Sequence, residues 1–282
     1  MILAIASGKG GTGKTSVAVA LAQAATGKVQ YVDCDVEAPN GHLFLHPAIT
    51  ERREACLPVP AVDAARCTGC GECARFCQYN ALAALGTNVL TFPELCHGCG
   101  GCAKLCPAGA IREVPRRIGV VESGQAGTVR VTQGRLDVGH PAAPPLIRAV
   151  KRQAGADGLA ILDCPPGTAC PVVAAVRGCD ALLLVTEPTP FGRHDLTLAV
   201  ALARGLRLPL AVAINRCDTG DRQTEAYCRA EGLPVLLRLP DDRRVAEAYS
   251  RGEGMLAARP EWARLFRQLP AAMATLGQGG AP

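Results

Sequence analysis

The feature that most constrains this chain is the octapeptide Gly8-Lys9-Gly10-Gly11-Thr12-Gly13-Lys14-Thr15, which lies between the apolar run Ile2 to Ala6 and the Ala-rich stretch Val17 to Ala25. That order reads as strand, glycine-rich loop and helix. The loop fits the phosphate-binding pattern G-x-x-x-x-G-K-[ST]. Its glycines let backbone N–H groups curl around phosphate oxygens, and the helix N-terminus adds partial positive charge. Lys14 then reaches the β/γ-phosphates and Thr15 can ligate Mg²⁺. A nucleotide site built from Gly8 through Ser16 is the first expectation.

Two further apolar runs end in carboxylates: Val29 to Val32 flows into DCDVEAPN, and Leu159 to Leu162 flows into DCPPGTAC. Strands are also expected at Ala181 to Val185, Leu210 to Ile214 and Val235 to Leu237, with helical patterns around Asp195 to Ala203, Asp221 to Ala230 and Asp242 to Ser250 between them. Such alternation predicts an α/β fold with a doubly wound, mostly parallel sheet. At 282 residues the chain fits one large domain or a domain with an insertion. A hydrophobic share of 49% excludes a disordered or fibrous protein. No apolar run approaches the roughly 18 residues of a membrane span, and Met1 to Ala6 lacks the basic start of a secretory signal, so a soluble cytoplasmic protein is expected.

The alternation breaks between about Pro58 and Val114. Here RCTGCGECARFCQYNAL recurs 29 positions later as LCHGCGGCAKLCPAGAI, matching Cys67 with Cys96 and Cys77 with Cys106. Fifteen cysteines is an odd number, and a chain with a large core has no need of disulfide staples, so metal ligation in a reducing compartment is the better expectation. Three cysteines at C-x₂-C-x₂-C wrap three irons of one cube, while the fourth, after x₃, serves another cluster. The ligands therefore cross: Cys67, Cys70, Cys73 and Cys106 for cluster one, and Cys96, Cys99, Cys102 and Cys77 for cluster two. Zinc knuckles also use C-x₂-C, but duplicated four-cysteine runs argue against them. The first run has Gln78 where the second has Pro107, which restores an N–H donor toward a cluster sulfur; His97 reads as a loop spacer. The segment resembles the bacterial two-[4Fe–4S] ferredoxin. The expected division is an ATPase domain at 1–57 and 115–282, interrupted by a ferredoxin-like α+β module at 58–114. Beyond it, Ile118 to Glu122 and Thr128 to Thr132 are expected to form a hairpin around SGQAG, and Pro141 to Pro145 to open the helix leading back to the sheet.

Lys9, at the second position of GKGGTGKT, resembles the deviant Walker A lysine of the MinD, ParA, ArsA, Mrp and nitrogenase iron-protein group of P-loop ATPases. The resemblance implies ATP and Mg²⁺ as cofactors, and a dimer of identical or paralogous chains that sandwiches the nucleotide. Lys9 would then reach the partner's phosphates. It also implies that Asp35 polarises the attacking water, with Asp33 nearer the Mg²⁺ shell. Asp163 corresponds to the Walker B aspartate, and Gly167 to the second-switch glycine whose N–H meets the γ-phosphate. Asn215 and the Pro240-Asp241 pair correspond to the adenine contacts. Phosphoryl transfer needs positioning and charge neutralisation above all, so one water-orienting and one metal-binding carboxylate suffice. The plainer alternatives are a solvated loop lysine at 9, a helix cap at Asp33 or Asp163, and turn formers at Asn215 and Asp241.

With its inserted module, nearly the whole chain resembles the MinD-superfamily ATPases that contain a ferredoxin domain. That implies an ATP-hydrolysing iron–sulfur protein in which a nucleotide-driven dimer switch is coupled to low-potential electron transfer toward a redox partner. The alternative is a carrier or assembly ATPase that delivers a metal centre to a client protein. Placement of cellular cargo would need DNA or membrane affinity. The formal charge of +5 falls to about +1 once two clusters of about −2 each are bound, so no nucleic-acid partner is expected. Amide ligases that share the P-loop have no evident use for clusters. The other cysteines, Cys34, Cys56, Cys164, Cys179, Cys217 and Cys228, read as buried free thiols. Cys170 lies at a spacing similar to a cluster ligand of the nitrogenase iron protein, but a matching second cysteine is missing. The stripe of Trp262, Leu265, Phe266 and Leu269 reads as a last helix packed on the sheet in preference to a membrane-binding helix.

Overall fold

The computed structural model describes residues 1–155 and 157–278. Strand β1 (Ile2–Ala6) enters the glycine-rich loop and emerges as α1 (Lys14–Ala24), followed by β2 (Val29–Asp33) and the single turn α2 (His42–Leu45). A long strand, β3 (Ala48–Val62), leads out of the domain to α3 (Glu72–Phe76), β4 (Leu82–Leu85), β5 (Asn88–Thr91) and α4 (Gly101–Leu105). The chain returns along β6 (Ile111–Ala126) and turns through Gly127 and Thr128 into β7 (Val129–Leu136). The remainder alternates: α5 (Pro144–Lys151), β8 (Leu159–Asp163), α6 (Cys170–Val176), β9 (Ala181–Thr186), α7 (Pro190–Gly205), β10 (Leu210–Asn215), α8 (Gln223–Ala230) and β11 (Val235–Leu239). It closes with α9 (Arg243–Ser250), α10 (Met255–Ala258) and α11 (Ala263–Gln278).

These strands form a nine-stranded sheet in the order β11-β10-β9-β1-β8-β2-β7-β6-β3. Pairing is parallel from β11 to β7, whereas β6 pairs antiparallel with both β7 and β3. The central strands are apolar along most of their length because helices cover both faces, with Asp33 and Asp163 at the C-terminal ends of β2 and β8. Leu3 and Ile5 join Val17, Leu21 and Phe266 on one face, while Ala4 and Ala6 join Leu146, Ile147 and Leu196 on the other. Helix α1 is buried almost all round; its run of alanines lets it fit between the sheet and α11. Phe266, Leu269 and Met273 seal that contact, as expected of a last helix packed on the core, although Leu265 of the same stripe is exposed. No helix among the described residues is long and apolar enough to cross a membrane.

Two elements differ from expectation. Strand β3 lacks a sequence signature, because Glu51, Arg52, Arg53, Pro58 and Pro60 interrupt any alternation. It forms the edge of the sheet, where charge and proline are tolerated and discourage further pairing. The hairpin is present, but Ser123 to Ala126 of SGQAG lie within β6 and the turn is made by Gly127 and Thr128 alone. Gly124 belongs in the strand because a Cβ there would meet the carbonyl oxygen of Ala48 on β3. Ser123 and Thr132 pair through their buried hydroxyls at 3.1 Å.

The cysteine-rich module sits at the far end of the β3/β6 ribbon, whose ladder continues through Pro58↔Pro115 and Val59↔Val114 to Val62↔Ile111. Residues 58 and 115 therefore face each other, and the ribbon crosses the expected boundary without a break. The 29-residue repeat is also a repeat in space: α3 and α4 are separated by that offset, and each is entered through a glycine with positive φ, Gly71 and Gly100. Cys73, Ala81, Leu82, Cys102 and Ile111 form a small core of the module's own.

Candidate nucleotide site and cysteine clusters

The C-terminal ends of β1, β2 and β8 converge on the glycine-rich loop. A cleft of about 420 Å³ opens there, lined at one end by Gly10, Gly11, Gly13, Lys14, Thr15 and Ser16 and continuing past Asp35 to Asn215, Pro240 and Asp241. The loop brings together most of the residues expected from its sequence. Gly13 has φ 89°, and a Cβ there would collide with the Asn215 amide, which itself donates to the Thr12 carbonyl at 2.9 Å. The tip of β10 is thus tied to the phosphate loop through a bond that only a glycine next to Thr12 permits.

Lys14 and Asp163 form a buried ion pair at 2.5 Å. The other Asp163 oxygen accepts from the Tyr31 hydroxyl at 2.9 Å. Burial alone would lower the Lys14 pKa, but the Asp163 carboxylate overrides it and holds the ammonium above its ordinary value. Asp33 lies directly opposite Asp163 in the β2/β8 register and is fully buried. Burial, together with the Asp163 charge, pushes the Asp33 carboxyl up to about 8. Its oxygens accept backbone N–H bonds from Asp35, Asn40 and Gly41 at 3.1 to 3.2 Å, so this side chain shapes the loop after β2. Asp35 faces the cleft from that loop, half-buried, and its pKa is raised by burial against the opposing pull of Lys14.

Two residues expected to meet phosphates are instead engaged within the chain. Lys9 is paired with Glu187, which also approaches Arg216 at 3.4 Å. The Gly167 N–H donates to the Ser7 carbonyl at 2.9 Å. The cleft also has residues without a functional signal in the sequence, the large ones being Tyr249, Met255 and Trp262. Trp262 reads as part of a packing stripe, and Tyr249 and Met255 carry no motif.

A polar row crosses the sheet at the level of the cleft. Register places Asp163, Asp33, Gln133, Glu122 and Arg52 side by side on β8, β2, β7, β6 and β3. Gln133 donates to Glu122 at 2.8 Å, and Arg52 lies 3.6 Å from the same carboxylate. The row begins at the nucleotide cleft and ends on the ribbon that carries the cysteine module.

Within the module, the eight cysteines fall into two groups that each mix the two repeats. Cys77, Cys96, Cys99 and Cys102 line a cavity of about 350 Å³, which Gln78 and His97 also border. Cys67, Cys70, Cys73 and Cys106 surround a much tighter space of about 10 Å³. Backbone N–H groups point at three of the sulfurs: Ala81 at Cys77, Gly98 at Cys96 and Ala110 at Cys106, all at 3.3 to 3.4 Å. His97 stacks on Tyr79 with ring centroids 3.6 Å apart, joining the two repeats. Among the described residues no three His, Cys, Asp or Glu side chains converge on a single-ion site. Of the other cysteines, Cys34, Cys164, Cys179 and Cys228 are buried as expected, Cys217 is half-buried, and Cys56 and Cys170 are exposed. Cys56 is exposed because it points outward from β3, between the buried Ala55 and Leu57.

Residues 3–255 match the model of the CobQ/CobB/MinD/ParA nucleotide binding domain. The uncharacterized protein MJ0578 of Methanocaldococcus jannaschii is 34% identical over 199 residues, 69% of this chain and 70% of that protein. MJ0579 of the same organism is 27% identical over 261 residues, 91% of each. The fold is similar to that of the cell division ATPase MinD of Pyrococcus furiosus, with a TM-score of 0.56, 21% identity and 99% of both chains covered. It is equally similar to the septum site-determining protein MinD of Pyrococcus horikoshii complexed with Mg-ADP, at 0.55 and 21%, covering 99% of this chain and 94% of that one.

Proposed function

Because the chain belongs to the CobQ/CobB/MinD/ParA nucleotide-binding family, we propose that it is a Mg²⁺-dependent ATPase whose nucleotide cycle controls electron transfer through two [4Fe–4S] clusters in its cysteine module. The phosphates would occupy the cradle of Gly8 through Thr15, with Lys14 exchanging Asp163 for a phosphate oxygen. Thr15 and the freed Asp163 are the residues that would hold Mg²⁺; Asp33, committed to backbone donors, would set the loop that carries Asp35. Asp35 would orient the attacking water. Gly167 would exchange Ser7 for the γ-phosphate, drawing the second switch inward. Asn215, Pro240 and Asp241 would border the base. Lys9 would leave Glu187 to serve the partner chain, which is a second copy or a paralogue.

The observation that carries the iron–sulfur assignment is the sorting of eight cysteines into two crossed sets of four. A cube places its ligands on different irons, so a wide four-cornered arrangement suits it better than a single ion. The second set has both the donors and the room. The first has the same four thiolates at the same repeat positions around a space of about 10 Å³, so its side chains would have to spread to admit a cube. Bound clusters would supply one-electron storage at low potential. The module itself supplies thiolates, N–H donors to sulfur and a ribbon that joins the nucleotide sheet.

Anaerobic iron and sulfide analysis, with EPR after reduction, tests the assignment; about eight irons per chain are expected, and bound zinc without iron would overturn it. Coupling is tested by redox titration with and without Mg-ATP. Differential affinity for two redox states shifts a one-electron potential by about 59 mV per tenfold change. Fixed potentials, together with iron passing readily to an apoprotein, would favour the carrier function instead.

A further inference from the structure

The cleft is lined by more than the phosphate loop, and two aromatic side chains, Tyr249 and Trp262, border it. Besides Asn215, Pro240 and Asp241, its lining includes three residues of the C-terminal segment: Tyr249 on α9, Met255 on α10 and Trp262 in the short 3₁₀ turn Pro260–Trp262. Neither aromatic ring is loose. Tyr249 lies against Phe44 of α2, with centroids 4.7 Å apart. Trp262 packs on the core beneath α11 and carries the Arg259 guanidinium 5.9 Å from its ring centroid. Arg259 is in turn paired with Asp242, whose carboxylate also caps α9 by accepting from the Arg244 N–H at 2.9 Å. An ionic clamp from α9 thus helps fix the indole in the wall of the cleft.

We propose that Trp262 is the stacking platform for the purine of the bound nucleotide, with Tyr249 and Met255 completing an apolar slot that excludes water from the base. This rests on the cleft being the ATP site. A purine has apolar faces and polar edges, so a site that holds it needs a flat wall as well as hydrogen-bonding groups. Trp262 supplies the wall. Stacking uses the π-face common to all bases, so it strengthens binding without distinguishing adenine from guanine. Discrimination is left to polar groups such as Asn215, whose amide nitrogen already serves Thr12 and whose carbonyl oxygen remains for an amino group on the base. Tyr249 also places the base one contact away from Phe44, on the helix that follows the Asp35 loop.

The chain contains one tryptophan, so its fluorescence reports on this position alone. Mg-ATP is expected to change the emission of the anaerobic wild-type protein, and Mg-tripolyphosphate, which has no base, to leave it unaltered. In calorimetric titration W262A should bind ATP and GTP more weakly by a common factor on the order of ten- to a hundredfold. The same variant should bind tripolyphosphate as the wild type does, and W262F should retain most of the ATP affinity. Unchanged ATP affinity in W262A overturns the proposal. So does an equal loss for tripolyphosphate, which would make Trp262 a structural residue. A wild-type protein that binds neither ATP nor tripolyphosphate would overturn the ATP site itself, a result distinct from both.

Discussion

Lys9 and Glu187 form an ion pair inside one chain, so the lysine expected to serve the partner's phosphates is held by its own chain. Glu187 is largely buried and Lys9 about one-third exposed. Pairs of this kind contribute about 1 kcal/mol or less. That is small enough to be broken by a phosphate and large enough to favour the monomer. Glu187→Gln should therefore strengthen ATP-dependent dimerisation by up to about fivefold, while Lys9→Ala should weaken it and slow turnover. Sedimentation with Mg-ATP measures both; identical association in all three proteins would remove Lys9 from the interface.

Lys14 has a structural role in addition to its expected phosphate contact. It is the ammonium that faces the fully buried Asp163, with Asp33 next to it. Lys14→Met should abolish ATP binding and also lower the stability of the nucleotide-free protein by about 3–5 kcal/mol, the usual consequence of stranding one member of a buried pair. A thermal melt at neutral pH reads the second effect, and an unchanged Tm would show that Asp163 finds another partner.

Unlike Asp163, which is held by Lys14 and Tyr31, the Asp35 carboxylate has no side-chain partner among the described residues, and it faces the space where the phosphates would lie. Asp35→Ala leaves the glycine cradle intact, so ATP should bind with near wild-type affinity and accumulate unhydrolysed. Single-turnover hydrolysis separates the two steps; loss of binding would reassign Asp35 to a structural role in the loop.

Much of the architecture was legible because parallel strands buried on both faces leave continuous apolar runs, and Ile2 to Ala6 or Ala181 to Thr186 cannot be mistaken for surface. The glycine loop was legible for the same kind of reason: each residue type there answers a geometric need. Strand β3 was not, because an edge strand is specified by its partner β6 and carries the charges that keep other chains away. Ser123 to Ala126 resemble a turn in sequence because small residues signal both turns and close strand approach. In the site, the roles of Asp33 and Asp163 diverge only in three dimensions, where one gathers backbone N–H groups and the other an ammonium and a phenol. Trp262 was hidden by its own stripe, since a residue that packs on a core and lines a cleft has the spacing of the core.

Stability should fall on the alkaline side. Burial pushes the thiols of Cys179 and Cys228 from 9.0 up to about 11. Between those values an unfolded chain has released these protons while the folded one still binds them, so the native state loses ground as pH rises. Below pH 9 both states are protonated and the effect vanishes. Cys228→Ala removes one of these groups, and the difference in Tm between wild type and variant should narrow from pH 9 to pH 11. A difference constant with pH would mean that the Cys228 thiol titrates normally in the fold.

The crossed arrangement of the module makes a prediction about pairs of substitutions that zinc sites or two self-contained runs would not share. Cys67 and Cys106 come from different repeats yet border one space, while Cys67 and Cys77 come from one repeat yet border different ones. If each set holds its own cluster, Cys67→Ala and Cys106→Ala should each remove about four irons per chain, and the double variant should lose no more than either alone. Cys67→Ala with Cys77→Ala should instead lose about eight. Cys77→Ala alone should spare the EPR signal that Cys106→Ala removes. Anaerobic iron analysis of these variants decides the matter. Non-additive loss for Cys67 with Cys77, and additive loss for Cys67 with Cys106, would show that each run binds its own metal and that the crossing in the fold has no counterpart in ligation.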